Sequence, residues 1–153
     1  MITTKKLGIE QIEEVKQLFF EIFTNEPWND DWSDSTQLNH YLFDLIGNHN
    51  SLSLGLYEDD TLIGLALGYI MHWCTGTEYY IFEFCVKTEL QGKGLGTKFL
   101  NMVEDVAKNK NITHIFLQTE RDVPAYRFYQ KNDFVELGGH VSLVKNFKND
   151  KEN

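Results

Sequence analysis

The sequence predicts a single-domain α/β fold, in which helices cover both faces of a mixed, mostly antiparallel sheet of about seven strands. Its 153 residues suffice for one domain with a sizeable core. Apolar residues recur with strand and helix periods in the order β-α-α-β-β-β-α-β-α-β-β, which is typical of one mixed sheet with helices on its faces. A glycine-rich stretch at residues 91–97 joins an apolar strand to an amphipathic helix. We assign residues 1–148 to this domain and residues 149–153 to a polar tail.

The first half of the chain is predicted to hold an edge strand, two helices and a hairpin. Pro27 stops the first helix, because proline disrupts a helix interior. Ser33 or Asp34 is a suitable N-cap for the second helix, which runs to about Gly47. In chain order the elements are a strand at residues 2–5, a helix at 9–23, the second helix, and strands at 51–57 and 61–70.

The second half is predicted to begin with a third antiparallel strand, which leads into the glycine-rich loop and a long helix. Pro124 falls in the first turn of a later short helix, where proline is tolerated. In chain order the elements are a strand at residues 79–86, a helix to about Asn109, a strand at 113–119, a helix at 123–131, and strands at 134–137 and 141–147.

Charge and composition narrow the function classes. A formal net charge of −9 argues against a nucleic-acid binder and mildly favours a cationic partner or substrate, although such a charge also serves solubility alone. No apolar run is long enough to span a membrane, and the N-terminus lacks the apolar segment of a signal peptide. The two cysteines fit a reducing, cytoplasmic setting. The five histidines show no ligand spacing, so no metal is expected.

The glycine-rich loop is a candidate anion site. Three glycines in five positions let the backbone approach an anion closely, and a helix N-terminus with unpaired N–H groups follows. Neither the Walker pattern nor the dinucleotide-binding pattern fits, the latter because Thr97 stands where its third glycine is required. The residues match Gln-x-x-Gly-x-Gly instead, with Gln91, Gly94 and Gly96.

Two segments resemble the GNAT superfamily of N-acetyltransferases. Residues 84–100 are similar to the family's acetyl-CoA loop, and residues 124–134 resemble its later helix, of the form Ala-x-x-Phe-Tyr-x-x-x-Gly-Phe. Asp133 stands where that glycine is usual and must therefore tolerate a glycine-type φ. The resemblance covers nearly the whole chain and implies a GNAT-like fold, in which the strand at residues 79–86 splays from its parallel neighbour at 113–119.

The resemblance implies acetyl-CoA as cosubstrate. The pantetheine arm would pair with backbone groups that the splayed strand exposes, much as an added strand does, and main-chain N–H groups of the loop would cradle the pyrophosphate. Lys93 adds a charge near the phosphates or is a solvated surface lysine. Carried over residue by residue, the coenzyme-binding residues are Phe84, Cys85, Val86, Gln91, Gly92, Lys93, Gly94, Leu95, Gly96 and Thr97.

Tyr129 matches the family position whose hydroxyl lies near the coenzyme sulfur. Direct attack of an amine on a thioester expels a thiolate, which a phenol can protonate. The alternative is a tyrosine that only packs, and Tyr126 is a weaker candidate for the acid. We expect direct transfer, because no serine or cysteine nucleophile is flanked by a recognisable base, and acetylation of Cys85 is a minor alternative.

Glu83 is the candidate general base, because it is the only charged residue in the strand before the glycine-rich loop. Desolvation raises the pKa of a carboxylate among aromatic residues, which suits a base near neutral pH. Strand alternation places Glu83 on one face with Ile81 and Cys85, opposite Phe82. Glu120 is the second candidate for the base, and the alternative role of Glu83 is that of a structural acid.

The acceptor is predicted to be a small cationic amine. The loop between the first two helices carries Trp28 and Trp32, whose indole faces would hold a cation, and Trp73 would contribute from across the pocket. The acidic residues of that loop are Glu26, Asp30, Asp31 and Asp34. The open alternatives are tryptophans that only pin the loop to the core, a peptide or protein amine as acceptor, and a CoA-binding sensor without catalysis. Neither the acyl chain length nor homodimerisation is fixed by the sequence.

Overall fold

The computed structural model describes residues 1–147, so the predicted tail at residues 149–153 lies outside the described residues. The chain forms two compact units, a larger one from Met1 to Thr119 and a smaller one that begins at Glu120. None of the helices in residues 1–147 is both long and apolar enough to cross a membrane.

The larger unit is a five-stranded sheet with three α-helices. The strands lie side by side in chain order, and each neighbouring pair is antiparallel except β4 with β5, which is parallel. This order confirms the predicted sequence of elements as far as the fifth strand. Its elements are β1 (Ile2–Lys6), α1 (Ile12–Phe23), α2 (Ser35–Ile46), β2 (Leu54–Glu58), β3 (Thr61–Trp73), β4 (Gly76–Val86), α3 (Leu95–Asn109) and β5 (His114–Leu117).

Helices cover both faces of this sheet, as predicted. α1 and α2 pack on one face, over a core that includes Leu65, Leu67 and Cys85. α3 packs on the other face, over a core that includes Tyr79 and Ile81. The two cores are called the α1–α2 core and the α3 core below.

α2 begins and ends at the predicted residues. The Asp34 side chain accepts a hydrogen bond from the Gln37 N–H at 3.1 Å, so Asp34 is the N-cap, and Gly47 is the C-cap. Tyr41 lies three residues after the buried Leu38 and therefore points to the same side of the helix, toward the sheet.

A β-bulge in β4 places Ile81 and Glu83 on opposite faces of the sheet. Leu67 pairs with Glu83 but Gly68 pairs with Ile81, so Phe82 is an extra residue in β4. The prediction that Glu83 shares a face with Ile81 is therefore wrong, whereas Cys85 lies in the α1–α2 core, on the side to which Glu83 points, as predicted. Ile81 is buried in the α3 core, whereas Glu83 bonds to a side chain of α2 on the opposite face.

Gly68 makes room for this bulge. A Cβ added at Gly68 would lie 2.0 Å from the Tyr80 carbonyl oxygen, so a side chain there would force the two strands apart. A glycine inside a strand often marks a bulge or a close backbone approach. Gly68, inside the strand predicted at residues 61–70, is thus the local signal of the bulge in the sequence.

β4 and β5 separate after a short parallel ladder. Their pairing runs from Glu78 with His114 to Ile81 with Leu117, while β4 itself continues to Val86. Within the described residues, no strand lies beside the rest of β4 on this side, although β3 still pairs with it on the other. This separation of β4 from β5 is the geometry expected of a splayed strand pair.

Within residues 1–147 the sheet has five strands, and the prediction of about seven was wrong. Residues 134–137 and 141–147 form no strand, although both stretches are described. Alternating apolar residues favour a strand only where a neighbouring strand pairs with the backbone and one face becomes buried. Val141, Leu143 and Val144 are instead at least 80% exposed, so this stretch gains no such burial.

The smaller unit holds α4 (Pro124–Lys131), which ends in a Schellman motif. The Phe134 N–H donates to the Tyr129 carbonyl at 3.0 Å, and the Asp133 N–H donates to the Gln130 carbonyl at 3.3 Å. Asp133 has a φ of +69°, which confirms that it adopts the glycine-type φ that its motif position requires.

Candidate active site

Glu83 is held by a hydrogen bond from α2. The Tyr41 hydroxyl donates to Glu83 Oε1 at 2.6 Å, although the two residues are 42 positions apart in the chain. Burial raises the pKa of Glu83 to about 7, the hydrogen bond from Tyr41 opposes this rise, and the charge of Asp30 adds to it. A carboxyl with this pKa is divided between its acid and base forms near neutral pH, which suits a general base.

Tyr41 is itself fixed by aromatic contacts. Its ring stacks on Trp32, with 5.4 Å between centroids and 18° between planes, and lies 6.0 Å from the ring of Phe19. Burial and the charge of Glu83 raise the pKa of the Tyr41 phenol, so it stays protonated and donates. The sequence alone does not identify Tyr41 as a site residue, because its helical spacing shows that it faces inward but not which side chain it contacts.

The loop after β4 has the backbone that its glycines predict. Gly92 and Gly94 have φ angles of +79° and +76°, and a Cβ at either position would meet no neighbouring atom within 4 Å, so the space above both is open. Gly94 is the N-cap of α3. The N–H groups of the first helical turn, at Leu95, Gly96 and Thr97, therefore point out of the helix end.

Gln91 is tied into this loop. Its side-chain amide donates to the Val86 carbonyl at 2.9 Å, and its N–H donates to the Thr88 carbonyl at 3.2 Å. These two bonds fix the loop against the end of β4. Because the Gln91 N–H is already paired, an anion in the loop would be bound by the N–H groups of the neighbouring residues. Lys93 is exposed between the two glycines of positive φ.

The groups at the end of β4 fit coenzyme A. The edge of β4 that has no neighbouring strand in the described residues leads to a loop with open space and a positive helix end, which suit a pantetheine arm and a pyrophosphate in turn. Phe84 stacks on Phe99 with 5.1 Å between centroids, and Val86 is buried, so side chains anchor this end of the strand. Burial, and then the charge of Glu83, raises the pKa of the Cys85 thiol.

The loop between α1 and α2 packs its tryptophans inward. Trp28 lies 5.6 Å from the ring of Phe23, and Trp32 lies 5.6 Å from that of Phe19. Both are partly buried against the α1–α2 core. These contacts support the alternative that the two tryptophans pin the loop.

The acidic residues of that loop have different surroundings. Asp34 caps α2, and Asp31 accepts a hydrogen bond from the Ser33 N–H at 3.0 Å. Asp30 is exposed, and it lies close enough to Glu83 to raise its pKa. Asp30 is therefore the loop carboxylate whose field reaches the candidate base.

Trp73 lies near the tip of the β3–β4 hairpin. It is 68% exposed and pairs with Gly76. It stands six positions along β3 from Leu67, the partner of Glu83, which corresponds to about 20 Å of strand. The structure therefore does not bring Trp73 and Glu83 together.

An aromatic row crosses the sheet beside Glu83. The rings of Tyr69 and Phe82 lie 5.1 Å apart, those of Phe82 and Tyr80 stack at 4.3 Å, and those of Tyr80 and Phe116 meet edge to face at 4.8 Å. Tyr69 packs against the α1–α2 core, so the row lies on the face to which Glu83 points. Phe82 is 42% exposed, so part of the row is open to solvent beside the base. Sequence reasoning missed this surface because only strand pairing assembles it.

Tyr129, the predicted acid, is a buried residue of α4. Its ring lies 5.3 Å from those of Phe128 and Phe134, edge to face in both cases. The contact with Phe134 accompanies the cap that ends the helix. The catalytic role of Tyr129 stays a prediction.

The smaller unit also contains Tyr126 and Glu120, the weaker candidates for the acid and the base. The Tyr126 hydroxyl donates to Glu136 Oε2 at 2.7 Å, and Arg121 donates to the other oxygen of that carboxylate. The hydrogen bond to Glu136 raises the pKa of Tyr126, so this phenol serves a contact within the unit. Glu120 is exposed, and its role as an alternative base stays a prediction.

Comparison with known proteins relates the chain to acetyltransferases. The sequence profile of the acetyltransferase (GNAT) family matches residues 12–134. The thialysine N-epsilon-acetyltransferase of Mus musculus is 29% identical over 95 residues, which are 58% of this chain and 55% of that protein. The uncharacterized protein YxbD of Bacillus subtilis (strain 168) is 31% identical over 90 residues, 54% of this chain and 57% of its own length. The chain thus matches a little over half the length of these curated relatives.

Solved structures share the fold. A possible acetyltransferase from Clostridium difficile 630 has a TM-score of 0.81 at 13% identity, over 97% of this chain and 99% of that one. An aminoglycoside acetyltransferase from an uncultured soil metagenomic sample, in complex with sisomicin, has a TM-score of 0.73 at 18% identity, over 96% and 97%. AAC(6')-Iy in complex with the bisubstrate analog CoA-S-monomethyl-acetylneamine has a TM-score of 0.72 at 15% identity, over 96% and 99%.

Proposed function

The chain belongs to the acetyltransferase (GNAT) family, and from that premise we propose that it is an N-acetyltransferase that moves the acetyl group of acetyl-CoA to a primary amine of a small cationic molecule. One observation carries the proposal: Glu83, whose pKa is about 7, lies just beyond the point where β4 loses its β5 neighbour. A module that only binds the coenzyme has no need of a base at that point.

The edge of β4 opposite β3 and the glycine-rich loop are the proposed coenzyme site. Acetyl-CoA supplies the acetyl group as a thioester. The family resemblance implies that the pantetheine arm would lie along backbone groups of Phe84, Cys85 and Val86 on the side of β4 opposite β3, as an added strand does. N–H groups of residues 92–97 would bind the pyrophosphate, with Gln91 holding the loop in place. A solved structure of this fold in complex with a CoA-containing bisubstrate analog is consistent with this assignment.

Glu83 is proposed to take the proton that the acceptor amine must lose before it attacks the thioester. With a pKa of about 7, a substantial share of Glu83 is ionised at neutral pH and can accept that proton. Cys85 is unsuited to carry the acetyl group, because burial keeps its thiol protonated and poorly nucleophilic. Direct attack by the amine is therefore the route that the strand favours. Tyr129 is our proposal for the acid that protonates the departing thiolate, on the strength of its motif position.

The acceptor is proposed to lie on the aromatic row, with its amine at Glu83. Exposed ring surface next to two carboxylates, Glu83 and Asp30, suits an organic cation. Names of similar proteins point the same way, since one is a thialysine N-epsilon-acetyltransferase and another an aminoglycoside acetyltransferase. Direct contact of the acceptor with Trp28 or Trp32 stays a prediction. We propose a cytoplasmic location, because Cys74 is a free, exposed thiol.

Thiol release from acetyl-CoA in the presence of aminoglycosides, polyamines, amino acids or peptides tests the proposal. We expect small cationic amines to be acetylated, with the modified nitrogen identified by mass spectrometry. Glu83→Gln should lower kcat/KM for the amine by about 10²–10⁴-fold with little change in the KM for acetyl-CoA. Glu58→Gln, at an exposed end of β2, is the matched control and should keep full activity.

Each contrary outcome has a distinct meaning. Preferential acetylation of peptides would replace the small amine by a peptide or protein acceptor. Binding of acetyl-CoA without thiol release for any amine would contradict the enzyme and favour a coenzyme-binding sensor. Equal activity of Glu83→Gln and wild type at all pH values would remove Glu83 from the reaction.

A further inference from the structure

We infer that Tyr41 is a positioning residue for Glu83, whose hydroxyl fixes Oε1 of the carboxylate and leaves Oε2 for the acceptor amine. This inference rests on the proposed function, in which Glu83 is the base. Tyr41 belongs to neither sequence motif, and it reaches the site only because α2 packs on the face of the sheet to which Glu83 points.

The geometry of Tyr41 is that of a rigid donor. Its ring is stacked on Trp32 and lies against Phe19, and the buried Leu38 and Leu45 hold its helix to the sheet. A phenol already fixed by packing loses little conformational freedom when it donates a hydrogen bond. Its bond to the carboxylate, at 2.6 Å, has the short length of a charge-assisted hydrogen bond. Tyr41 therefore restricts the orientation of the base before any substrate binds.

The groups that face Glu83 determine how the hydrogen bond acts. Asp30, from the α1–α2 loop, disfavours the ionised carboxylate, and Cys85, on the same strand, stays protonated. Tyr69, on β3, interacts with Tyr41 but donates its own hydrogen bond elsewhere. Among these groups Tyr41 is the one that favours ionised Glu83. Loss of its hydroxyl would leave burial and Asp30 unopposed, so Glu83 would hold its proton to higher pH.

Trp32 takes part through Tyr41. The stacked pair joins the α1–α2 loop to the base without contact between the indole and the acceptor. Trp32 would therefore affect catalysis through the position of Tyr41 and not by binding the substrate. Replacement of Trp32 by leucine should shift the titration of Glu83 in the same direction as loss of the Tyr41 hydroxyl, and by less.

Tyr41→Phe tests the inference, with Tyr69→Phe as a matched control. The Tyr69 hydroxyl also donates a hydrogen bond of 2.6 Å, but to the Asp44 carbonyl of the same helix. We expect Tyr41→Phe to move the acidic limb of the kcat/KM profile upward by about one pH unit, with roughly ten-fold lower activity at pH 6. Activity at high pH and the KM for acetyl-CoA should change little in Tyr41→Phe. Tyr69 belongs to the aromatic row proposed to bind the acceptor, so Tyr69→Phe is compared by the midpoint of the pH profile alone, which should stay unchanged.

A direct titration separates this inference from the proposed function. The Glu83 carboxyl can be followed by ¹³C NMR in glutamate-labelled protein, with its signal assigned by its loss in Glu83→Gln. Its pKa should rise in Tyr41→Phe and not in Tyr69→Phe, whether or not any amine is acetylated. An unchanged pKa in Tyr41→Phe, or an equal rise in both variants, would overturn the role of Tyr41. If Tyr41→Phe does not fold, Trp32→Leu is titrated in its place, and an unchanged pKa there has the same meaning.

Discussion

Replacement of Glu83 by glutamine should change how the stability of the protein depends on pH. Folding moves this carboxyl from water into partly buried aromatic surroundings, which raises its pKa from 4.5 to about 7. Between these values the folded state binds the proton more strongly than the unfolded state. The free energy of unfolding must therefore fall as the pH rises through this window, and the loss is complete above it.

The size of the effect follows from the two pKa values. Each pH unit between them corresponds to about 1.4 kcal/mol, so Glu83 should cost the folded chain about 3 kcal/mol by pH 8. Glutamine has nearly the same shape, can accept the Tyr41 hydrogen bond and does not titrate. The variant should be about as stable as wild type at pH 4 and about 3 kcal/mol more stable at pH 8.

Urea unfolding of both proteins from pH 4 to pH 8, without coenzyme, measures this difference. All other titrating groups are shared by the two proteins, so their contributions cancel in the comparison. A difference that varies by less than about 0.5 kcal/mol over this range would refute the reasoning. Glu83 would then be well solvated in the folded state, and its assignment as a base near neutral pH would lose its physical support.

Two glycine substitutions test the backbone of the site. Gly68→Ala should destabilise the protein by about 2–3 kcal/mol in urea unfolding and lower turnover, because its Cβ would lie 2.0 Å from the Tyr80 carbonyl oxygen. Gly64 lies on the same strand as Gly68, and a Cβ there would meet its nearest atoms at 3.1 Å, so Gly64→Ala should destabilise the protein clearly less. Equal losses of stability in the two variants would contradict this account of the bulge. Gly94→Ala should cost about 1 kcal/mol at its φ of +76° and raise the KM for acetyl-CoA. Gly139→Ala, in open space without a positive φ, should change neither quantity.

Features set by residues close in sequence could be predicted. The positive φ angles of Gly92 and Gly94 follow from the sterics of a tight turn into a helix. Asp34 caps α2 because a short acidic side chain precedes a helical repeat. Asp133 has its positive φ because it follows the last turn of a helix in a Schellman cap. Each of these depends on residues only a few positions apart, so the sequence contains all the information needed.

Features set by strand pairing could not be predicted. Alternation assumes one partner for each residue of β4, and the extra Phe82 breaks that assumption, so that Ile81 and Glu83 lie on opposite faces. Tyr41 meets Glu83 across 42 residues, a contact that depends on how α2 crosses the sheet. Alternation at residues 141–147 likewise shows that the stretch suits a strand, but not that a neighbour is present to pair with it.

The face on which Glu83 lies explains why an acid is tolerated in this strand. Glu83 lies on the side of Cys85 and the α1–α2 core, and the extra Phe82 lets Ile81 point into the α3 core on the other side. A carboxylate in the α3 core without a hydrogen-bond donor would stay protonated and could not accept a proton from an amine. On its own side Glu83 meets the Tyr41 hydroxyl, which favours the ionised form enough to leave the pKa near 7. Gly68, Phe82 and Tyr41 thus act together on the base, whereas the glycine-rich loop acts on the coenzyme. Substitutions in the first group should therefore alter the pH dependence of turnover, and substitutions in the loop should alter the KM for acetyl-CoA.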